Sequence, residues 1–257
     1  MSTPKTTSTG IDLGSRLTKV VRAGPSAEIL DSRMFDTGHD PLAHLREILK
    51  GSGDEPTVAT GYGRNLAEAH LACPAVTEIR ACARAARHLC PDAGSVIDIG
   101  GQDSKAIELA EGGGFGRFEM NERCAAGTGR FLEVMAAALS YSLEEFGTEA
   151  LRADRPVSLT SKCTVFAESE VVSLIARGED RRRIALGLHV ATAQRVAAMA
   201  SRIELGAKTL FVGGVACNPC MQKVLAAELP SELVVPERPE LAVALGAALI
   251  AMEIQAS

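Results

Sequence analysis

The strongest constraint on the fold is a phrase that the chain writes twice. "GIDLGSRLTKVV" begins at Gly10 and "VIDIGGQDSKAI" at Val96. Aligned without a gap, Ile11, Asp12, Gly14 and Lys19 fall on Ile97, Asp98, Gly100 and Lys105, Ser15 meets Gly101, and Thr18 meets Ser104. Each copy reads as an apolar strand ending in Asp, a glycine turn and a second strand. Glycines after a buried strand let the backbone come close to a ligand, and turn amides then point at anionic oxygens. An Asp beside such a turn is placed to hold Mg2+, directly or through water. A single copy is equally a glycine-turned hairpin with a capping Asp. A matched pair is a grip on a polyphosphate from two sides.

A third element follows. "FVGGVACN" (211–218) puts Gly213 and Gly214 at the end of an apolar strand and ahead of a helix, which suits packing against a nucleobase and ribose. In this order the three elements resemble the phosphate-1, phosphate-2 and adenosine motifs of the superfamily that holds sugar kinases, acetate kinase, actin and the heat-shock chaperones. The resemblance implies an α/β protein of two ribonuclease-H-like domains, with ATP in the cleft between them and closure coupled to hydrolysis. The first domain would span 1–93 and receive the C-terminal helix, 241–257; the second would span 94–240. Neither a Walker nor a Rossmann spelling is present, since "GGGFG" at 112–116 lacks the Lys-Ser/Thr of a P-loop.

Composition removes several function classes. A chain of 257 residues with 46% hydrophobic and 23% charged residues buries a full core. A formal charge of -5 argues against nucleic acid as the main partner. No stretch reaches the roughly twenty apolar residues of a membrane span, and the Ser- and Thr-rich start reads as a floppy tail rather than a secretory signal. The expected place is the cytoplasm, with no membrane partner. There the seven cysteines are reduced, and an odd number is no disulfide framework.

Strand-like and helix-like patterns alternate, as in α/β proteins. A hairpin is expected over 9–14 and 18–22, a helix over 41–50 with Pro in its first turn, and an Ala- and Arg-rich helix over 77–89 capped by Thr77. The second half is more helical, with a long helix over about 181–204 and a terminal one from "VALGAALIAME" onward. The duplicated hairpin is the only repeat that the letters show.

Two cysteines precede amphipathic helices. Cys124 stands before Gly127 and Gly129 and an apolar stripe of Phe131, Leu132, Met135 and Leu139; Cys163 stands before Val165, Phe166, Val171, Val172 and Ile175. A thiolate at a helix N-terminus is electrostatically favoured. Their spacing is wrong for a CxxC knuckle, and two ligands are too few for a cluster held by four cysteines. The residues leave two readings: buried structural cysteines, or a cluster on a two-fold axis to which each chain of a dimer gives two thiolates.

"TGYGR", "VIDIGGQDSK", "NERCAAGTGRFLEVM", "CTVFAESEVVSLIARG", "GGVACN" and "LGAALIA" together resemble the ATP-dependent activators of 2-hydroxyacyl-CoA dehydratases, a family that includes the ATPase subunits of benzoyl-CoA reductase. The resemblance implies one [4Fe–4S] cluster held between two subunits by Cys124 and Cys163. It also implies a ferredoxin or flavodoxin as electron donor, and a separate dehydratase or reductase that receives the electron and acts on a CoA thioester. ATP/ADP and Mg2+ are the other expected ligands.

Within that frame Asp12 and Asp98 organise Mg2+ and water, and the turn amides of Gly14, Ser15, Gly100 and Gly101 cradle phosphates. Gln102 orients the attacking water, by analogy with glutamines in other nucleotidases. Gly213, Gly214 and Asn218 border the adenosine. Lys19 and Lys105 either touch phosphate or lie on exposed strands. Arg16 stands where many relatives carry a small hydroxyl residue, and pairs with the nucleotide or with a surface acid. The "CNPC" of Cys217 and Cys220 reads as structural, and "RGEDRRR" (177–183) as a solvated face or a docking site. The rival readings are a small-molecule kinase of the same superfamily and an actin-like assembly protein; both leave Cys124 and Cys163 without a role.

Overall fold

The computed structural model describes residues 7–50, 55–122, 124–159 and 164–256. Contacts divide the chain into two units, one made of Met1–Asp92, Leu109–Gly116 and Leu241–Ser257, the other of Ala93–Glu108 and Arg117–Glu240.

The first unit starts with the strands β1 (Ser8–Leu13), β2 (Leu17–Ala23) and β3 (Ile29–Asp36), followed by α1 (Pro41–Leu49), β4 (Thr57–Thr60), α2 (Arg64–Leu71) and α3 (Glu78–Leu89). Its sheet runs β3-β2-β1-β4, antiparallel except for the parallel pair β1–β4. The Thr77 cap read from sequence is in place, and the structure adds one at Asp40. Asp40 caps α1 ahead of Pro41, and the Thr77 hydroxyl accepts from the Arg80 amide at 3.3 Å.

The second unit holds β5 (Ser95–Ile99), β6 (Ser104–Leu109), β7 (Phe115–Asn121), α4 (Gly129–Ala138), α5 (Leu143–Ala150), α6 (Thr164–Ala176), α7 (Arg181–Ala200), β8 (Lys208–Val212), α8 (Pro219–Glu228) and β9 (Glu232–Val234). Its sheet runs β7-β6-β5-β8-β9, with β5–β8 and β8–β9 parallel. The last helix, α9 (Ala242–Ala256), belongs to the first unit.

Pleating decides the layers. Ile11 and Leu13 face a cluster with Leu45, Ala59, Ala67 and Cys73. The intervening residues of β1 face α9, where the Ser8 hydroxyl donates to the Ala248 carbonyl at 2.8 Å. Helix α9 is apolar all round from Ala242 to Met252 because that stretch is covered all round, by β1, β2, β4 and α3. Leu245, Leu249 and Met252 are buried there, each worth about 1.5–3 kcal/mol of transfer free energy. In the second unit Ile97 and Ile99 face a larger core built from α4, α5, α7, α8 and Phe211.

The repeat is larger than its letters. β1, β2, β3 and β4 recur as β5, β6, β7 and β8 in the same order, with β1–β2 and β5–β6 antiparallel and β1–β4 and β5–β8 parallel. Thr9 pairs with Thr57 as Ser95 pairs with Thr209, so β4 and β8 correspond residue by residue.

The charge run at 177–183 is a solvated face, with Arg177, Asp180, Arg181 and Arg182 exposed. The Asp180 carboxylate caps α7, accepting from the Arg182 amide at 2.7 Å. Arg181 stacks over the Tyr141 ring at 4.3 Å, Arg182 pairs with Glu149 at 2.8 Å and Arg183 with Asp154 at 2.6 Å. Among the described residues no helix is long and apolar enough to cross a membrane.

Candidate functional site

In each unit the Asp that ends the first strand is buried and meets a Lys straight across the hairpin. The register pairs Asp12 with Lys19 and Asp98 with Lys105. Lys19 Nζ donates to Asp12 Oδ2 at 3.0 Å; Lys105 Nζ reaches Asp98 Oδ2 at 3.5 Å and Asp103 Oδ2 at 2.8 Å. Lys105 is only 2% exposed, so the exposed-strand alternative for it fails. Pleating is the cause: directly opposed residues share a face, and the face that buries the Asp buries the Lys. The carboxylates offset the hydration that the buried ammonium loses.

The neighbouring parallel strand closes each carboxylate from the other side. After β4 comes Gly61, at φ +94°, and after β8 comes Gly213, at φ +90°. A Cβ on Gly61 would lie 2.7 Å from Asp12 Oδ1, and one on Gly213 would lie 2.5 Å from Asp98 Oδ1. Only glycine fits both the left-handed backbone and the approach. The sequence reading gave Gly61 no role. β4 and β8 share few letters, and their correspondence emerges only from strand register.

The turns differ in detail. Gly14 and Ser15 are half-buried, and the Gly14 carbonyl accepts from the Thr37 hydroxyl at 2.8 Å. Of the two partners expected for Arg16, the structure has the surface acid, Asp36, at 3.0 Å. In the second turn the Gly100 amide donates to the Asp103 carbonyl at 3.0 Å, so it closes the turn rather than facing outward as expected. The carbonyls of Gly100 and Gly101 accept the amides of Gly129 and Arg130, at 2.9 and 2.8 Å. Gln102 stands exposed beside them.

In the loop after β8, Gly213 donates to the Pro239 carbonyl at 3.0 Å, and a Cβ on the exposed Gly214 would meet nothing within 4 Å. Asn218, expected to border adenosine, also ties the scaffold. Its Oδ1 accepts from the amides of Cys220 and Met221 at 2.9 and 3.1 Å, capping α8, and its Nδ2 donates to His189 Nε2 at 3.0 Å. The His189 ring is fully buried against Phe146, with Nδ1 on the Ala185 carbonyl at 2.7 Å. Burial holds that imidazole neutral, with its pKa pushed down to about 4. Cys217 is exposed near Glu240, whereas Cys220 is buried and its thiol pushed up to about 12 by desolvation.

Cys124 lies four residues ahead of Thr128, the N-cap of α4, rather than in the helix's first turn. Its loop is tied by Asn121, whose Nδ2 donates to the carbonyls of Cys124 and Ala126 and whose Oδ1 accepts the Cys124 amide at 3.3 Å. Arg195 of α7 donates to the half-buried Cys124 Sγ at 3.8 Å, and its aliphatic stem packs where a side chain on Gly127 would go. Gly127 has φ +98°. A Cβ on Gly129 would be 3.0 Å from the Gly100 carbonyl. Arg195 escaped the sequence reading because nothing in the letters links it to Cys124 across the intervening chain. The α4 stripe of Phe131, Leu132, Met135 and Leu139 is buried as expected. On α6 only Val171 of the assessed stripe is buried; Phe166, Val172 and Ile175 are exposed. Cys163 lies outside the described residues.

With this geometry in hand, a family description covers almost the whole chain, matching residues 9–251 to the BadF/BadG/BcrA/BcrD ATPase family. The chain belongs to that family. The activator of lactoyl-CoA dehydratase from Anaerotignum propionicum is 39% identical over 95% of this chain and 96% of its own. The crystal structure of the Acidaminococcus fermentans (R)-2-hydroxyglutaryl-CoA dehydratase component A superposes with a TM-score of 0.92 at 36% identity, covering 98% of this chain and all of its own. The activator of the 2-hydroxyisocaproyl-CoA dehydratase from Clostridium difficile, with bound ADPNP, gives 0.89 at 36% identity over 96% and 95%. A ROK-family glucokinase from Streptomyces griseus gives 0.60 at 14% identity over 96% and 99%, a likeness of fold alone.

A carboxylate at each strand end is the oxygen donor that Mg2+ prefers. Among the described residues no group of three or more His, Cys, Asp or Glu side chains could hold a metal. A metal–sulfur centre at Cys124 would need ligands beyond them. Cys163, and the same two residues of a second chain, would complete four thiolates.

Proposed function

We propose that this chain is an ATP-hydrolysing iron–sulfur activator, working as a homodimer that passes one low-potential electron to a separate dehydratase or reductase acting on a CoA thioester. Cys124 and Cys163 of each chain would hold one [4Fe–4S] cluster, reloaded by a ferredoxin or flavodoxin. When bound, such a cluster supplies a single strongly reducing electron.

The observation that carries the reading is the bond pattern joining the Asp98 turn to the Cys124 loop. Gly100 and Gly101 present their carbonyls to the first amides of α4, so this turn caps the helix that the Cys124 loop enters. A shift of the turn on loss of a phosphate is therefore delivered to the loop through two hydrogen bonds and the tight seat of Gly129. Asp12 and Asp98 would organise Mg2+ and water, Gln102 would orient the attacking water, and Gly14, Ser15 and Gly101 would receive phosphate oxygens. Lys19 and Lys105 aim the two carboxylates. Gly213 and Gly214 would lie against the adenosine, on a loop that Asn218 and His189 fix. Arg195 sets a positive charge beside the sulfur, an environment suited to an anionic metal–sulfur centre. The apolar side chains exposed on α6, next in sequence to Cys163, favour burial against a second chain.

Iron and acid-labile sulfide per dimer, measured on anaerobically purified protein beside Cys124→Ala and Cys163→Ala, test the proposal. About four of each per dimer are expected in the wild type, and loss in either variant. A wild type that stays colourless and iron-free after anaerobic reconstitution, or variants that keep their iron, would overturn the electron-transfer reading and leave an ATPase without a cluster.

A further inference from the structure

The two halves of the repeat differ at one buried position. Asp12 pairs in register with Thr60, and Asp98 pairs in register with Val212. Thr60 is fully buried, and its hydroxyl has no hydrogen-bond partner among the described residues. Parallel partners share a face of the sheet. Ile11 and Ala59, which pair, both face the α2 side, so Asp12 and Thr60 both face the other. The two side chains thus leave the same face of neighbouring strands at the C-terminal end of β4, one residue before Gly61, whose backbone packs close to Asp12 Oδ1.

A buried hydroxyl without a partner is a net cost to folding. The second half shows that the fold does not ask for it, since Val212 fills the equivalent place with the same shape and no polar atom. A costly group that the scaffold can do without is one reserved for a ligand. We propose that the Thr60 hydroxyl is a binding group of the nucleotide site, hydrogen-bonding an oxygen that ATP·Mg2+ brings to Asp12, either a phosphate oxygen or a metal-bound water. The two halves are then unequal: the Asp12 half holds one more ligand oxygen than the Asp98 half. The inference rests on the nucleotide reading above.

The test compares the dimer as purified with Thr60→Val, which copies Val212, and with Thr60→Ser, which keeps the hydroxyl. Apo thermal midpoints, midpoints with ADPNP in the presence of Mg2+ or EDTA, and ATP turnover are measured for each. Thr60→Val should melt at or above the wild-type temperature without nucleotide, gain less from ADPNP, and turn over ATP about tenfold more slowly or worse. Thr60→Ser should recover most of both. A reduced gain confined to Mg2+ identifies the metal-bound water; a reduced gain in EDTA as well identifies the phosphate oxygen. Wild-type turnover and ADPNP response in Thr60→Val would overturn the inference alone, as would an apo midpoint below wild type, which assigns the hydroxyl a structural role. A wild type that neither binds nor hydrolyses ATP would overturn the nucleotide reading, and this inference with it.

Discussion

Lys105 and Asp98 face each other across one hairpin as Lys19 and Asp12 face each other across another, through the same carboxylate oxygen in each case. The duplication therefore preserves a buried ion pair and not only a turn. It also sets which of the two pairs matters more for stability, because the Lys105 side chain is 2% exposed and that of Lys19 is 13% exposed.

Lys105→Met removes the cation and leaves Asp98 in a buried site with a carboxylate to satisfy. Loss of one partner of a buried pair costs about 3–5 kcal/mol, and urea unfolding should show it. Lys19→Met should cost less, since water reaches that pair. Equal costs would mean that solvent access does not govern the two sites.

Gly61→Ala and Gly213→Ala each place a Cβ against Asp Oδ1 and a backbone carbonyl, at a φ that L residues rarely adopt. The carboxylate must move. A displacement on the 1 Å scale costs about 10²-fold in rate, so ATP turnover should fall by that order in both variants. A variant with normal turnover would remove its Asp from the reaction.

Arg195→Leu removes a positive charge and a hydrogen-bond donor from the Cys124 sulfur while keeping a packed stem. If a cluster binds there, its iron content should persist and its reduction potential, measured by titration under EPR, should become more negative. Loss of iron would instead make Arg195 part of the loop's structure.

His189 gives the fold a pH dependence. Its pKa is about 4 folded, against an ordinary 6.5, so the unfolded chain binds more protons between those values. Stability is fully present above pH 6.5 and is lost as pH falls toward 4, by on the order of 3 kcal/mol at the lower end. Urea midpoints from pH 7.5 to 4.5 should decline more steeply for the wild type than for His189→Gln, which does not titrate. Parallel slopes would mean that other groups carry the dependence.

The sequence by itself determined the chemistry at the strand ends. Asp and Gly at fixed spacing, written twice, specify an acid at a strand end and a turn, because local backbone geometry follows from local letters; the place of each Lys opposite its Asp came only from the strand register. The helix cap at Thr77 was legible for the same reason. What the tertiary structure alone decided is what stands beside those strands. Gly61 and Thr60 meet Asp12 only because β4 adds to the sheet in parallel, a pairing between distant segments that no local pattern encodes. Arg195 meets Cys124 only because α7 packs behind the loop, and the same helix brings His189 to Asn218. The letters fix what each residue can do; long-range packing fixes which residue it does it with.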